Sequence, residues 1–125
     1  MNFPEDCRFH PEHMWVRRDG DVGIIGVSDF AQNSLGDVNL VSVPAPGTRI
    51  DHGAVFGTIE SAKVASDLFA PVSGEIVEVN PKLTDEPWLV NDDTYGAGWI
   101  ARVRLSDPAE IDALLTAAAY RTQVS

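Results

Sequence analysis

From residue 37 onward the chain is cut at short intervals by proline and glycine, with "PAPG", "DHGA", "APVSG" and "NPKLTDEP" falling between runs rich in β-branched residues. Breakers at this spacing leave no room for a long helix, while the β-branched runs suit a pleated surface. The segment therefore predicts many short strands joined by tight turns. Such a chain buries its apolar faces by closing into a sandwich or a barrel. "PAPGTRI" at 44–50 and "PVSGEIV" at 71–77 also share a Pro-x-x-Gly, which supports the strand reading and would suit a quasi-symmetric β unit. Gly47, following Pro46, is placed for the positive φ of a type II turn.

Upstream, "MWVR" at 14–17 and "GDVGIIGV" at 20–27 read as two strands turned at Asp19 and Gly20. "SDFAQNSLG" at 28–36 reads as one short helix, with Ser28 or Asp29 as its cap and Gly36 as its stop. "WIARVRL" at 99–105 is a closing strand whose Trp99, Ala101, Val103 and Leu105 alternate with arginines. "SDPAEIDALLTAAAY" predicts a C-terminal helix capped by Ser106 or Asp107, with Pro108 in its first turn and Ile111, Leu114, Leu115 and Ala118 on one face.

At 125 residues the chain suffices for one domain with its own core, and two would be too small. A formal charge of −10 repels phosphate backbones and anionic lipid, so nucleic acid and membrane surfaces are not expected partners. No apolar run approaches the roughly 20 residues of a membrane span. The start, "MNFPEDCRFHPEH", has acids where a signal peptide would carry positive charge and an apolar stretch, so the expected location is cytoplasmic. Cys7 is the only cysteine, which excludes an internal disulfide. His10 and His13 with distant His52 do not make a zinc site, so no metal is expected. Trp15, Trp88, Trp99, Phe56 and Phe69 are expected mainly as core, and the pairs Asp85–Glu86 and Asp92–Asp93 as solvated loops without a catalytic nucleophile or base beside them.

Only two of the nine basic residues are lysines, Lys63 and Lys82. Lys63 stands in "ESAKVASDLFAP", in a connection over residues 61–66 between "AVFGTIE" and "DLFAPVSGEIVEV". Ser61, Ala62, Val64, Ala65 and Ser66 are all small enough to let another protein close around the amine, and Glu60 and Asp67 bracket them with negative charge. A turn lysine is ordinarily a solvated charge, and these neighbours set this one apart.

With its flanking sequence this segment resembles the lipoylation site of the glycine cleavage system H protein family. "PEHMWVR", "GDVGIIGVSDFAQNSLGDV", "PAPGT", "LVNDDTYGAGWIARV" and "DPAEIDALLTAAAY" follow in that family's order, covering roughly residues 9–121. The Ala62 and Val64 neighbours of the lysine fit this family better than the flanking methionines of biotinyl carriers. The resemblance implies a mainly β fold with short helices, a barrel-sandwich hybrid with a short helix in the N-terminal half and a C-terminal helix, and residues 1–125 as a single lipoyl-carrier domain.

It further implies lipoic acid joined covalently to Lys63, with Glu60, Asp67 and Gly47 serving lipoylation recognition or the arm's cleft, and no catalytic residue in the carrier itself. The implied partners are a pyridoxal-phosphate glycine decarboxylase, a tetrahydrofolate-dependent aminomethyltransferase, a dihydrolipoamide dehydrogenase and the lipoylating enzymes. A monomer would shuttle an aminomethyl group among them. Three positions depart from the family's habit: Met14 stands where a glutamate commonly separates His13 and Trp15, Asn39 replaces an apolar or aromatic residue, and Thr94 replaces a proline. A thioether cannot pair with an ammonium group as a carboxylate does. Met14 thus motivates an alternative, an H-like lipoyl carrier serving lipoyl relay or sulfur metabolism.

Overall fold

The computed structural model describes residues 1–125. Nine strands, β1 (Arg8–His10), β2 (Met14–Asp19), β3 (Val22–Val27), β4 (Val38–Ser42), β5 (Arg49–Ile50), β6 (Val55–Ser61), β7 (Ala65–Phe69), β8 (Gly74–Val79) and β9 (Ala101–Leu105), form two sheets. The larger runs β1-β2-β3-β9-β8-β5 and the smaller β4-β6-β7. Short helices α1 (Asp29–Leu35), α2 (Leu89–Asp92), α3 (Ala109–Asp112) and α4 (Ala117–Gln123) join them. This is the mainly β architecture with short helices that the turn pattern predicts.

Every strand pair is antiparallel, so hairpins and tight loops account for the connections. The two Pro-x-x-Gly segments do lie side by side, with Arg49 opposite Glu75 and Ile50 opposite Gly74. The larger sheet curls: His10, on its β1 edge, meets His52, just beyond its β5 edge, with ring centroids 5.3 Å apart. Buried Ile25, Ile59, Leu68, Val72, Ile76 and Val103 fill the space between the sheets. A second cluster of Phe3, Cys7, Phe9, Trp15, Ala117 and Tyr120 seals the N-terminal segment and α4 against the outside of β1 and β2.

Four local readings change. Asp19 is paired with Val22, so the two-residue loop is Gly20–Asp21, with Gly20 at φ +63°. The connection carrying Lys63 is tighter than residues 61–66, because β6 runs to Ser61 and β7 begins at Ala65. The C-terminal helix is split: Leu115 leaves the helix to exchange backbone bonds of 2.8 and 2.9 Å with Phe9, and Thr116 caps a new helix by accepting from the Ala119 N–H. The strand edge at Phe9 offered two backbone bonds that a continuous helix would have left unmade. Trp88 is half exposed rather than core.

Two departures from the family's habit find local reasons. Asn39 is the exposed residue of a bulge where β4 pairs with β6, which suits a polar side chain. Thr94 is buried and its hydroxyl donates to the Val90 carbonyl at 2.8 Å, closing α2. No helix is long and apolar enough to cross a membrane.

Candidate functional site

The β6–β7 hairpin is fixed by its register: Thr58 opposite Asp67, Ile59 opposite Ser66 and Glu60 opposite Ala65. Side chains alternate along strands, so Ile59 and Leu68 face the core while Glu60 and Asp67 share the opposite face. Ile59 and Leu68 are accordingly buried and Asp67 exposed. Ser61 closes the tip: its N–H donates to the Val64 carbonyl at 2.8 Å, and its hydroxyl accepts from the N–H groups of Lys63 and Val64. Three residues, Ala62, Lys63 and Val64, remain as the exposed tip. The strands below it are pinned by core packing, so Lys63 projects from a rigid base.

The Lys63 stem lies across Gly36, the stop of α1, where an added Cβ would sit 3.4 Å from Lys63 Cε. Gly36 has φ +78° and ψ −156°, a region open in practice only to glycine. Asn91 holds this turn from α2: its Oδ1 accepts from Val38 N–H at 2.9 Å, and its Nδ2 donates to Gly36 O at 2.8 Å and Gln32 Oε1 at 3.0 Å. One side chain thereby locks α1, its exit turn and the start of β4.

Beside the tip opens a cleft of about 260 Å³, walled by Met14, Val27, Phe30, Ala31, Leu35, Ile59, Val64 and Leu68. Ser34, Ser66, His13 and two acidic residues, Glu12 and Asp67, complete its lining. No lysine or arginine faces it, so the cleft is apolar with a net negative mouth. His13 has φ +74°, and burial lowers its pKa below the usual histidine value, so the ring is neutral near pH 7.

Of the residues singled out from sequence, Lys63, Glu60 and Asp67 meet on one hairpin, and Asp67 alone of these lines the cleft. Gly47 lies in the β4–β5 turn, outside the cleft, with φ +96° and its N–H donating to Ile76 O at 2.7 Å. Met14 is 1% exposed and forms cleft wall, and an acidic residue two positions earlier, Glu12, also lines the cleft. Sequence reasoning did not find Glu12, His13 or Phe30 as cleft residues; their assembly depends on β1–β2 and α1 packing together over β7. Cys7 is buried at 1% exposure, and burial pushes its thiol up to about 12, leaving it inert. No group of three or more His, Cys, Asp or Glu is placed to hold a metal ion.

The model of the family described as "Glycine cleavage H-protein" matches residues 7–125. The glycine cleavage system H protein of Bacteroides fragilis is 46% identical over 125 residues, covering 100% of this chain and 99% of the relative. That of Carboxydothermus hydrogenoformans is 50% identical over 117 residues, covering 94% and 90%. Among solved structures, a glycine cleavage system H protein from Mycobacterium marinum superposes with a TM-score of 0.88 at 36% identity, covering 96% of this chain and 97% of that one. With both sequence and fold matched from end to end, this chain belongs to the glycine cleavage H-protein family.

Proposed function

We propose that this protein is the lipoyl-bearing carrier of a glycine cleavage system, with lipoic acid in amide linkage to Lys63. The observation that carries the reading is the placement of Lys63: an exposed amine at the tip of a tight hairpin, beside an apolar cleft with an acidic mouth. The residues present fit such a group. An arm rooted at the tip has apolar walls to lie against, and modification costs no ion pair, because Lys63 is in none of the salt bridges of the structure.

Lipoic acid, when bound, would supply a dithiolane whose S–S bond opens as one sulfur takes the aminomethyl group left by a pyridoxal-phosphate glycine decarboxylase; passing that group to a tetrahydrofolate-dependent aminomethyltransferase would leave the dithiol, which dihydrolipoamide dehydrogenase would reoxidise. The chain's own residues root, shelter and present that arm. Ser61 fixes the tip, and Gly36 with Asn91 fixes the surface on which the Lys63 stem rests. The wall of Met14, Phe30, Ile59 and Leu68 excludes water, and Glu12 and Asp67 favour a cationic cargo at the mouth. Glu60, Asp67 and Gly47 serve recognition by the lipoylating enzyme, two as charges flanking the lysine and one by shaping its turn. Tethering raises the local concentration of the arm without catalysis by the carrier. On this reading residues 1–125 act as one lipoyl-carrier domain, a cytoplasmic monomer.

The alternative of a carrier for lipoyl relay or sulfur metabolism rested on Met14. Glu12 weakens it, since the cleft lining holds a second acidic residue beside Asp67 without a glutamate at position 14. Reconstituted glycine decarboxylation with the three partner enzymes decides: wild type should turn over after lipoylation and Lys63→Arg should not. Failure of a fully lipoylated wild type to turn over would favour the alternative.

A further inference from the structure

Two buried hydroxyls stand behind His13. Tyr120, on α4, lies 2.7 Å from His13 Nδ1 and 2.7 Å from Ser28 Oγ. Its ring is 0% exposed and stacked on Phe9 at 4.6 Å, so the hydroxyl has no freedom to turn elsewhere. Ser28 is also 0% exposed, and its oxygen already accepts the Ala31 N–H that caps α1. The Ser28 proton therefore needs an acceptor, and Tyr120 Oη is the only one within bonding distance.

That requirement sets the direction of the whole chain. Ser28 donates to Tyr120, so the Tyr120 proton is free to go only to His13, and His13 Nδ1 must accept it. In the neutral ring the remaining proton then sits on Nε2. His13 makes no other side-chain hydrogen bond within the protein, its ring is tilted against Phe30 at 4.9 Å, and it lines the cleft. Nε2–H is thus a neutral donor with no partner in the protein, carried by a residue that lines the cleft and whose backbone is held at φ +74°.

We propose that His13 donates a hydrogen bond from Nε2 to the sulfur end of the arm when it lies in the cleft, and that Tyr120 and Ser28 are positioning residues that keep the ring in this form. The inference rests on lipoylation of Lys63. It divides the work of the mouth: Glu12 and Asp67 suit a cation, while an N–H suits a sulfur with lone pairs and suits a thiolate best. Glu12 from the β1–β2 turn and Asp67 from β7 are the charged groups facing this space, and α1 contributes none. Both carboxylates oppose formation of a thiolate, and His13 counters them.

Ring ¹⁵N shifts of His13 in the unmodified protein at pH 7.5 should report the Nε2–H form, and Tyr120→Phe, which keeps the stacked ring and removes the hydroxyl, should give a mixture of the two neutral forms. A predominantly Nδ1–H ring in wild type would overturn the proposal. In lipoylated, reduced protein, the pH of half-maximal alkylation of the arm by iodoacetamide should rise by about 0.5 unit or more in His13→Asn, which tolerates the positive φ but has no donor at the Nε2 position. His13→Gln, whose amide places a donor near Nε2, should recover most of that shift, and Tyr120→Phe should fall between. Melting curves confirm that each variant is folded. An unmoved midpoint in folded, lipoylated His13→Asn would overturn this inference and leave the carrier function intact, whereas wild type that no lipoylating enzyme modifies at Lys63 would overturn both.

Discussion

Gly36→Ala isolates what holds the surface beneath Lys63. At φ +78° and ψ −156° an alanine is strained whatever the space around it, at a cost of about 1–3 kcal/mol. The added methyl would meet Lys63 Cε at 3.4 Å, an ordinary contact with the mobile end of a side chain, so sterics add little. In a chain of this size the loss corresponds to a Tm lower by roughly 3–12 °C. A domain of ordinary stability, about 5–15 kcal/mol, stays folded at 25 °C after such a loss, so lipoylation of the variant can be measured on native protein. Asn91→Leu removes the three bonds that pin the same turn, at about 2–3 kcal/mol if each contributes about 1 net.

The two substitutions act on one turn and should not add. With Asn91 gone, the Gly36 segment can move toward a conformation alanine accepts, so the double variant should be more stable than the sum of the singles by about 0.5 kcal/mol or more. Urea denaturation of the four proteins supplies the cycle. A Gly36→Ala penalty below about 0.5 kcal/mol, or strict additivity with Asn91→Leu, would refute the claim that Asn91 holds Gly36 in a glycine-only conformation.

Gly26→Ala should cost about 1–3 kcal/mol, because its Cβ would lie 2.7 Å from Trp15 Cε2 and Trp15 is wholly buried; an unchanged urea midpoint would contradict this packing. Met14→Glu should also destabilise, by about 1–3 kcal/mol, since a carboxylate would replace a side chain that is 1% exposed; thermal melts with no loss would show that position 14 reaches solvent. His10 and His13 are both held below the usual histidine pKa chiefly by burial, His10 with a further contribution from His52. Their folded-state values lie below the unfolded value near 6.5, so the unfolded chain takes up protons first as pH falls. This contribution is complete above about pH 6.5 and is lost below it. The loss in urea midpoint between pH 7.5 and 5 should be smaller in His10→Gln than in wild type, and an equal or larger loss would contradict the assignment.

The legible parts of the fold were those governed by local chemistry. Ser28 and Gly36 announced α1 because a cap and a positive-φ stop are written in single residues, and alternation along 101–105 announced β9 for the same reason. The break between α3 and α4 was not legible, since helical periodicity continues through Leu115; what interrupts it is the backbone of Phe9, distant in sequence. At the site, Lys63, Glu60 and Asp67 could be read together because they lie on one hairpin. The rest of the cleft could not, because Glu12, Phe30 and Leu68 come from three separate elements. Met14 shows the limit most clearly: it looked like the loss of a carboxylate, and only the fold reveals another acidic residue, Glu12, lining the same cleft.

The central claim is that Lys63 is a tether. Intact-mass and peptide analysis of the protein purified from its native source tests it most directly, with Lys82, the only other lysine, as the internal control. The account predicts a lipoyl increment confined to the peptide carrying Lys63 and absent from Lys63→Arg expressed in the same cells. An unmodified Lys63 in cells that are cleaving glycine, or an increment on Lys82, would contradict it.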